Sequence, residues 1–533
     1  MSGDLLLATM LVPLMMLAGC LSAEVRRRMP RLLWLAPLPG LAAALFAVDA
    51  PPAVLDADRL RFTLELGRPA ALLLGVASLL WSAAGAFAAA YLPRGPATQR
   101  FACWWLLTLA GSLGVFVAGD LVTFYLSFAM VSLSAYGLVI HDRTERAWRA
   151  GSIYLLLAVL GEIFLLFGFA LLAVASPGDS IAIADVMAAL PASPWYGATM
   201  ALLILGFGMK AGMVPLHVWL PLAHPAAPMP ASAVLSGAIV KAGIIGLIRF
   251  LPWEAGGPGL GEALTVLGFT TAFYGVAIGV TQANPKTVLA YSSVSQMGVV
   301  MAALGAGLAA GQGATPMDAA FYASHHVLAK GACFLAVGVA YAAGRRRMAA
   351  VMIPVLLLAL SFGGLPLTGG ALAKAAVKDQ LGHGLLGALS AISAAGTTLL
   401  MLHFTRRLAA GMKAEGEWPG AGMLLPWLGT TVAAMAVPWL FFAEVGSLAE
   451  LFKVDALWKA VWPMLVGAAL VPFLGRLPAI PEGDVLIPAE RAFHRAAGPL
   501  SRAADGLERV LNCWPQAGLA LLLVLLGFSL ALV

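Results

Sequence analysis

Four lysines lie inside stretches that otherwise have the composition of lipid-buried helix. They are Lys210, Lys241, Lys330 and Lys374, out of nine lysines in the chain. A lysine at the centre of a bilayer costs about 2.5–3.5 kcal/mol on insertion scales, so chance placement is selected against. Desolvation lowers the pKa of a lysine, and an acidic neighbour raises it again, so a moving partner can switch its proton load. The four residues therefore predict a proton path.

The stretch from Gly206 to Arg249, GFGMKAGMVPLHVWLPLAHPAAPMPASAVLSGAIVKAGIIGLIR, holds two of these lysines on either side of a Pro-rich break. A helix break at membrane depth is tolerated only where it is buried in protein or lines a polar cavity. Lys374 directly follows a second break, GGLPLTGG. The helices that hold Lys241 and Lys330 show no break in the sequence. Broken helices beside intramembrane charges are typical of transporters.

Glu162 is the carboxylate that lies deep in an apolar span, YLLLAVLGEIFLLFGFALL. Burial favours the neutral form of a carboxyl group unless a cation is near. Two interpretations therefore remain open: a group on the proton path, or a neutral carboxyl that is merely hydrogen-bonded. We expect the first, with Glu162 facing Lys210 across the interior of the helix bundle.

Histidines accompany the lysines. In HHVLAK, His326 and Lys330 are one helical turn apart on one face, and an imidazole titrates near neutrality, so His326 is a candidate relay. His217 and His224 bracket the Pro-rich break and are expected to line an exit. The alternative for each is a core histidine with its hydrogen bonds satisfied. No cysteine or carboxylate cluster completes a metal site, so we expect no metal.

No dinucleotide fingerprint, Walker loop, CxxC cluster or haem pattern occurs in the sequence. We therefore expect no cofactor, and any redox chemistry would belong to partner subunits. Whether the chain is part of an enzyme stays open at this stage. It would be a subunit of a proton-pumping oxidoreductase, of the NADH:quinone oxidoreductase or hydrogenase type, without a redox centre of its own.

The composition predicts an all-α polytopic membrane protein. The 533 residues are 61% hydrophobic and 11% charged, and the mean hydropathy is +0.91, whereas soluble domains are about 25% charged. Charged and Pro/Gly loops divide the chain into about sixteen spans. The expected spans are 5–22, 32–48, 69–91, 101–119, 121–140, 151–174, 197–216, 231–251, 263–283, 288–308, 319–342, 350–377, 384–405, 423–443, 459–478 and 515–533. Near 488–514, interleaved arginines and apolar residues predict a short amphipathic surface segment.

Charge asymmetry predicts the orientation. Alternate loops carry arginines or lysines, namely Arg26, Arg27, Arg28, Arg31, Arg94, Arg100, Arg143, Arg146, Arg149, Lys286, Arg345, Arg346, Arg347, Arg406, Arg407 and Lys413. Positive loops remain on the cytoplasmic side, so both termini are expected outside a bacterial or archaeal-type cell membrane. The net charge of +6 is spread over these loops and forms no nucleic-acid patch.

An internal repeat divides the chain. Residues 1–100 hold helices 1–3, residues 101–251 form a first repeat of helices 4–8, and residues 263–405 form a second repeat of helices 9–13. Residues 406–533 hold helices 14–16 and the surface segment. The fourth helix of each repeat is the broken, lysine-bearing one. Because the first repeat starts inside and the second outside, the repeats are expected to be inverted, with their sites near mid-membrane.

Four strings in this order carry a resemblance to a known family. GMKAGMVPLHVWLPLAHPAAPMPASAVLSGAIVKAGIIGLIR, NPKTVLAYSSVSQMG, FYASHHVLAKGACFL and GGLPLTGGALAK resemble the antiporter-like, proton-translocating membrane subunits of respiratory complex I, of membrane-bound hydrogenase and formate hydrogenlyase, and of Mrp-type sodium/proton antiporters. The string AHPAAP followed by SGxxxKxG is more similar to the hydrogenase and Mrp branch.

The resemblance implies a proton route along a central lysine chain. Lys210 is similar to the broken-helix lysine of the family's first half, Lys330 to the lysine of its HxxxK helix and Lys374 to its second-half lysine near the exit. The family usually has a glutamate where this chain has Ala129. We expect Glu162, on the next helix, to replace that acid.

The function expected from these features is proton translocation by one subunit of a larger complex, driven by redox chemistry or by cation/proton antiport. Its partners are expected to be other membrane subunits, protons, possible sodium ions and the lipid bilayer, and no nucleic acid. Two alternatives remain: a scaffold subunit that does not conduct, and a subunit that energises sodium or inorganic carbon transport.

Overall fold

The computed structural model of the chain describes residues 2–57, 60–176, 178, 180–476, 480–482, 486, 487, 491 and 498. Residues Met1–Glu482 form one compact unit. A second unit comprises Gly483–Val533, and most of it lies outside the described residues. The predicted surface segment near 488–514 and the last predicted span, 515–533, fall there.

Helices dominate the described part of the chain. They are α1 Ser2–Gly19, α2 Ala23–Arg28, α3 Leu38–Phe46, α4 Arg68–Tyr91, α5 Pro96–Val117, α6 Leu121–Val139, α7 Glu145–Ala175, α8 Ile183–Ala189, α9 Tyr196–Ala211, α10 Trp219–Ala226, α11 Met229–Val234, α12 Lys241–Phe250, α13 Pro258–Gly279, α14 Pro285–Ala309, α15 Thr315–Ala343, α16 Met348–Gly363, α17 Gly369–Ala376, α18 Lys378–Leu381, α19 Gly384–Gly411, α20 Ala421–Phe441, α21 Leu448–Leu451 and α22 Val454–Leu470. A π-helical turn, Leu235–Ile239, joins α11 to α12.

Thirteen helical segments in the described residues are long and apolar enough to cross a membrane, which confirms a polytopic helical membrane protein. Two predicted spans are shorter in the structure. The span 32–48 contains only the nine-residue helix α3, and the span 197–216 stops at Ala211, after the 16 residues of α9. Together with 515–533, these account for the difference from the sixteen predicted.

A β-hairpin, which the sequence analysis did not predict, precedes α4. Strand β1, Ala53–Ala57, pairs with strand β2, Leu60–Leu64, in antiparallel register. The buried Asp120 side chain accepts a 2.5 Å hydrogen bond from the Thr63 amide and also caps α6 through the Thr123 amide. One carboxylate thus joins the hairpin to the start of a membrane helix.

Helices α13 and α14 pack closely along their length because glycines line their contact. A Cβ on Gly261, Gly268 or Gly275 of α13 would lie 2.4–2.7 Å from a backbone nitrogen of α14, and a Cβ on Gly298 of α14 would lie 2.5 Å from the Ala272 nitrogen. Small residues let two membrane helices approach to backbone contact. This packing fixes α14, which carries several polar side chains of the candidate site.

Two helices end at membrane depth in glycines with left-handed backbone conformation. Helix α9 ends before Gly212, where φ is 88°, and α16 ends before Gly364, where φ is 100°. Glycine adopts this conformation without the steric penalty that other residues incur. The predicted break near Pro215 therefore begins at Gly212, and the predicted break GGLPLTGG begins at its second glycine.

Candidate proton path

Lys210 lies on the last turn of α9 in a site walled by aromatic rings. Its Nζ donates a 3.2 Å hydrogen bond to the Tyr154 hydroxyl, which donates to the Ser132 carbonyl at 2.6 Å. The ammonium also lies 5.5–6.0 Å from the ring centroids of Phe128, Tyr154 and Trp219. Such rings attract a cation weakly through their quadrupole, so they hold the ammonium without neutralising it.

Glu162 is buried on α7, and neither of its carboxylate oxygens has a hydrogen-bond partner among the described residues. The adjacent Gly161 packs against α9, since a Cβ on it would lie 3.3 Å from the Met209 sulphur. Gly161 lines one small cavity together with Ser132 and Lys210. A buried carboxyl group without a partner costs free energy, so this acid needs a nearby cation, a proton or a water molecule.

A small cavity separates α6, α7 and α9 at this point. It is lined by Phe128, Ser132, Tyr154, Leu157, Ala158, Gly161, Gly206, Met209, Lys210 and Trp219, with a volume of about 10 Å³. That volume is close to the minimum for one water molecule. The cavity therefore offers room for a single water beside Lys210 and Gly161.

Lys241 lies two residues after the π-helical turn. Its Nζ donates to the Ser236 carbonyl at 3.2 Å and makes a short hydrogen bond with His326 Nδ1. In the turn, the Val240 amide bonds to the Leu235 carbonyl, one residue farther back than in an α-helix. The helix runs as one span over Met229–Phe250, as the sequence indicated. The π-helical turn inside it presents the Ser236 carbonyl to the lysine.

Lys330 and His326 share one face of the continuous helix α15. The Lys330 ammonium donates to the Leu289 carbonyl at 3.2 Å and to the Ser292 hydroxyl, and it lies 4.8 Å from the centroid of the Phe362 ring. His326 Nε2 is buried and has no hydrogen-bond partner among the described residues. The structure thus brings Lys241, His326 and Lys330 together in a buried row.

Lys374, on the short helix α17, donates a short hydrogen bond to the Gly363 carbonyl at the end of α16. A cavity of about 790 Å³ opens beside it. Charged side chains line this cavity together with Lys374, namely Lys378, Asp379, Glu450, Lys453, Asp455 and Lys459. Lys374 therefore borders a large cavity that is lined by charged side chains.

The remaining predicted histidines are fully buried. The His217 ring lies edge-on to Tyr274, with centroids 4.8 Å apart. The His224 ring stacks on Phe334 at 4.7 Å, and neither of its nitrogens has a hydrogen-bond partner among the described residues. Phe334 is one helical turn beyond Lys330, so His224 lies next to the central row.

Sequence reasoning missed two residues of this region. Tyr154 lies in an apolar helix and looked in the sequence like an aromatic residue that only packs, yet its hydroxyl is the hydrogen-bond partner of Lys210. Lys286 was assigned to a cytoplasmic loop, yet it is buried, and its Nζ donates to the Ala227 carbonyl and, at 3.5 Å, to the Pro225 carbonyl. A signal for Lys286 was present, because Asn284 and Pro285 before it are strong helix-start residues.

Comparison with known proteins settles the family. The family model described as NADH:quinone oxidoreductase/Mrp antiporter, transmembrane, matches residues 118–400, more than half of the chain. The chain belongs to this family. The match takes in Glu162, Lys210, Lys241, Lys330 and Lys374. The resemblance drawn from the four sequence strings is therefore confirmed, while the roles of individual residues remain predictions.

Relatives in this family belong to different complexes. Hydrogenase-4 component B of Escherichia coli (strain K12) is 31% identical over 292 residues, which cover 52% of this chain and 43% of that protein. Na(+)/H(+) antiporter subunit A1 of Staphylococcus haemolyticus (strain JCSC1435) is 32% identical over 313 residues, covering 53% of this chain and 38% of that protein. The chain thus spans less than half the length of these curated relatives.

A solved structure shares the fold. A chain in the structure of the Mrp complex from Dietzia sp. DQ12-45-1b superposes with a TM-score of 0.79 at 24% identity, covering 99% of this chain and 62% of that chain. This likeness supports the polytopic helical architecture.

Proposed function

We propose that this chain carries protons across the membrane as an antiporter-like subunit of a larger membrane complex. The observation that carries the proposal is the buried row of Lys241, His326 and Lys330, in which an amine and an imidazole share a hydrogen bond. Amines and imidazoles that alternate in a low-dielectric interior can each hold or release one proton. Row members that are already in contact need only a small rearrangement to pass it.

The physical basis is competition between neighbouring charges. Two ammonium groups close together in a buried site repel each other, so a proton on Lys241 disfavours one on Lys330. His326 is hydrogen-bonded to Lys241 and lies one helical turn from Lys330 on α15. It can therefore accept a proton from either lysine. Arrival of a charge at one end of the row then favours release at the other end.

The two lysines beside the helix breaks extend this row toward its ends. In the proposal, Glu162 sets the proton affinity of Lys210. It replaces the glutamate that the family usually has at the position of Ala129. At the other end, Lys374 releases its proton into the large charged cavity. His217, whose ring lies edge-on to Tyr274, is proposed to line the path beside the first break.

The proposal includes the division into two inverted five-helix repeats, 101–251 and 263–405, and the placement of both termini outside the cell membrane. It also includes other membrane subunits as partners, since the relatives named above are components or subunits of multisubunit systems. The relative named Na(+)/H(+) antiporter subunit A1 favours a second candidate, in which sodium moves in exchange for protons.

The decisive experiment is proton flux in proteoliposomes that hold the chain together with the subunits that co-purify with it. A potassium diffusion potential set with valinomycin drives the flux, and a pH-sensitive dye reports it. Lys330→Met removes the titrating amine and is expected to lower flux about a hundredfold, the scale of a lost acid–base group. Lys413→Met, at an exposed lysine, is the matched control and should conduct normally.

Three other outcomes separate the candidates. A wild-type flux no greater than that of empty liposomes would support the non-conducting scaffold. A Lys330→Met protein with normal flux would remove the central row from the path. A flux that requires sodium on the opposite side of the membrane would favour sodium/proton exchange.

A further inference from the structure

Lys286 is buried like Lys210, Lys241 and Lys330, and it lies at the start of α14 on the arginine-rich side of the membrane. Its ammonium donates to the carbonyls of Ala227 and Pro225, at the end of α10. Carbonyls at a helix C-terminus carry partial negative charge, so they stabilise an ammonium there. The contact with the Pro225 carbonyl brings the ammonium to the residue that follows His224 in the chain.

Glu482, which follows α22 in the chain, places a carboxylate beside the start of α14. The Glu482 carboxylate accepts two hydrogen bonds from Arg146, at 2.8 and 2.6 Å, and one from the Thr287 hydroxyl at 2.9 Å. Thr287 is the residue after Lys286. Glu482 is about one-third exposed, and the charges of Asp142, Arg146 and Glu482 all act on the Lys286 ammonium.

His224 directly precedes Pro225, whose carbonyl accepts a hydrogen bond from Lys286. It lies within electrostatic reach of both Lys286 and Lys330. Its ring stacks on Phe334, and both ring nitrogens are buried without a hydrogen-bond partner among the described residues. A buried polar group left without a partner costs free energy and calls for an explanation such as a transient proton or water.

We propose that Lys286 is the residue that loads protons onto the central row from the arginine-rich side, with His224 as the relay to Lys330. The proposal rests on the proposed function. It gives His224 a place at the entry of the path, in contrast to the exit expected from the sequence. It also adds a lysine that the resemblance does not assign to the path.

The proton transfers balance without any other reactant. The neutral amine of Lys286 takes a proton from a hydronium ion at the mouth, where the Glu482 and Asp142 carboxylates attract cations, and the hydronium leaves as water. The ammonium then gives that proton to a neutral ring nitrogen of His224, directly or through one water. The imidazolium gives a proton to the neutral amine of Lys330, and each donor returns to its starting state.

A structural role must be distinguished, because Lys286 also caps the end of α10. Lys286→Arg keeps the positive charge and the donors to the two carbonyls, but a guanidinium does not release its proton in a protein. A purely structural lysine would tolerate this change, whereas a loading residue would not. His224→Phe is the second variant: it keeps a ring on Phe334 and removes only nitrogens that make no hydrogen bond.

The test is the same dye-reported flux, on complexes whose composition and thermal stability match those of the wild type. Lys286→Arg and His224→Phe are each expected to lower flux about tenfold or more, as loss of a relay group does. Glu482→Gln, which removes charge at the mouth alone, is expected to lower it severalfold. Lys413→Met again serves as the unchanged control.

The results distinguish a failure of this inference from a failure of the proposed path through Lys241, His326 and Lys330. If Lys330→Met stops flux while Lys286→Arg and His224→Phe conduct normally, the entry lies elsewhere and the inference is overturned. If Lys330→Met itself conducts normally, the central row is wrong. If Lys286→Arg disrupts the complex, His224→Phe decides alone, because normal flux in that variant excludes the relay.

Discussion

The two helix breaks place their lysines in opposite surroundings. Lys210, before the break at Gly212, is enclosed by aromatic rings, bonds to Tyr154 and borders a cavity of about 10 Å³. Lys374, after the break at Gly364, bonds to a backbone carbonyl and borders a cavity of about 790 Å³. An enclosed site keeps a charge at high free energy, whereas a site that borders a wide polar cavity exchanges it readily.

This difference shows that similar sequence signals can serve unlike tasks. Both lysines lie within ten residues of a left-handed glycine, yet the acid that accompanies Lys210 is buried inside the bundle and the acids near Lys374 line its cavity. In the proposed path, Lys210 is therefore an enclosed site whose protonation depends on Glu162. Lys374 is an outlet whose protonation depends on access of water.

The largest effect that would sharpen the comparison is expected from Glu162→Gln. The amide cannot carry the negative charge that keeps Lys210 protonated, so flux should fall about a hundredfold. The double variant Ala129→Glu with Glu162→Gln should regain part of the flux, since it returns an acid to helix α6, one turn from Ser132. Flux is measured in the proteoliposomes described above.

The matching control is at the other lysine. Asp379→Asn removes an acid from the cavity beside Lys374, where other carboxylates and water remain, and should change flux less than about twofold because exposed charges interact weakly. A Glu162→Gln protein with normal flux would contradict the claim that protonation of Lys210 depends on Glu162. It would also favour the alternative of a non-conducting scaffold.

The positions of these sites could be predicted from the sequence, but their surroundings could not. A lysine in an apolar span and a Pro- or Gly-rich break are local signals, so Lys210, Lys374 and both breaks were found. The π-helical turn before Lys241 has no local signal. It occurs where Gly237 and Gly331 both face Leu80, and a Cβ on either would lie 2.1 Å from that side chain.

Burial of a charged residue near a loop is equally hard to predict. Lys286 follows Asn284 and Pro285, which correctly mark the start of a helix, but the direction of its side chain depends on the end of α10, about sixty residues earlier in the chain. The β-hairpin was missed because its ten paired residues lie between two predicted spans. These features depend on contacts between distant segments, which periodicity does not report.

A smaller, separable effect is expected from the two glycines. Gly212→Ala and Gly364→Ala each force alanine into a left-handed conformation, which costs about 1–2 kcal/mol. A Cβ at position 212 would lie 2.4 Å from Leu220 Cδ1, whereas one at 364 would lie 3.0 Å from Lys374 Cδ. Both variants should lower thermal stability, and Gly364→Ala should also lower flux severalfold, because it displaces the lysine.

Thermal unfolding and flux of the same preparations check this prediction. Loss of thermal stability with normal flux in Gly212→Ala would match the account. Normal flux in Gly364→Ala, at a comparable loss of stability, would show that the position of the Lys374 ammonium is not critical.

The most direct test of the central claim is the flux of Lys210→Met, Lys374→Met and the double variant in one proteoliposome series. If Lys210 and Lys374 both lie on a single proton path, each single variant should lower flux to near that of empty liposomes. The double variant should then have the same flux as either single variant. Assembly with partner subunits should persist, since methionine adds no buried charge. Wild-type flux in either single variant would contradict the account.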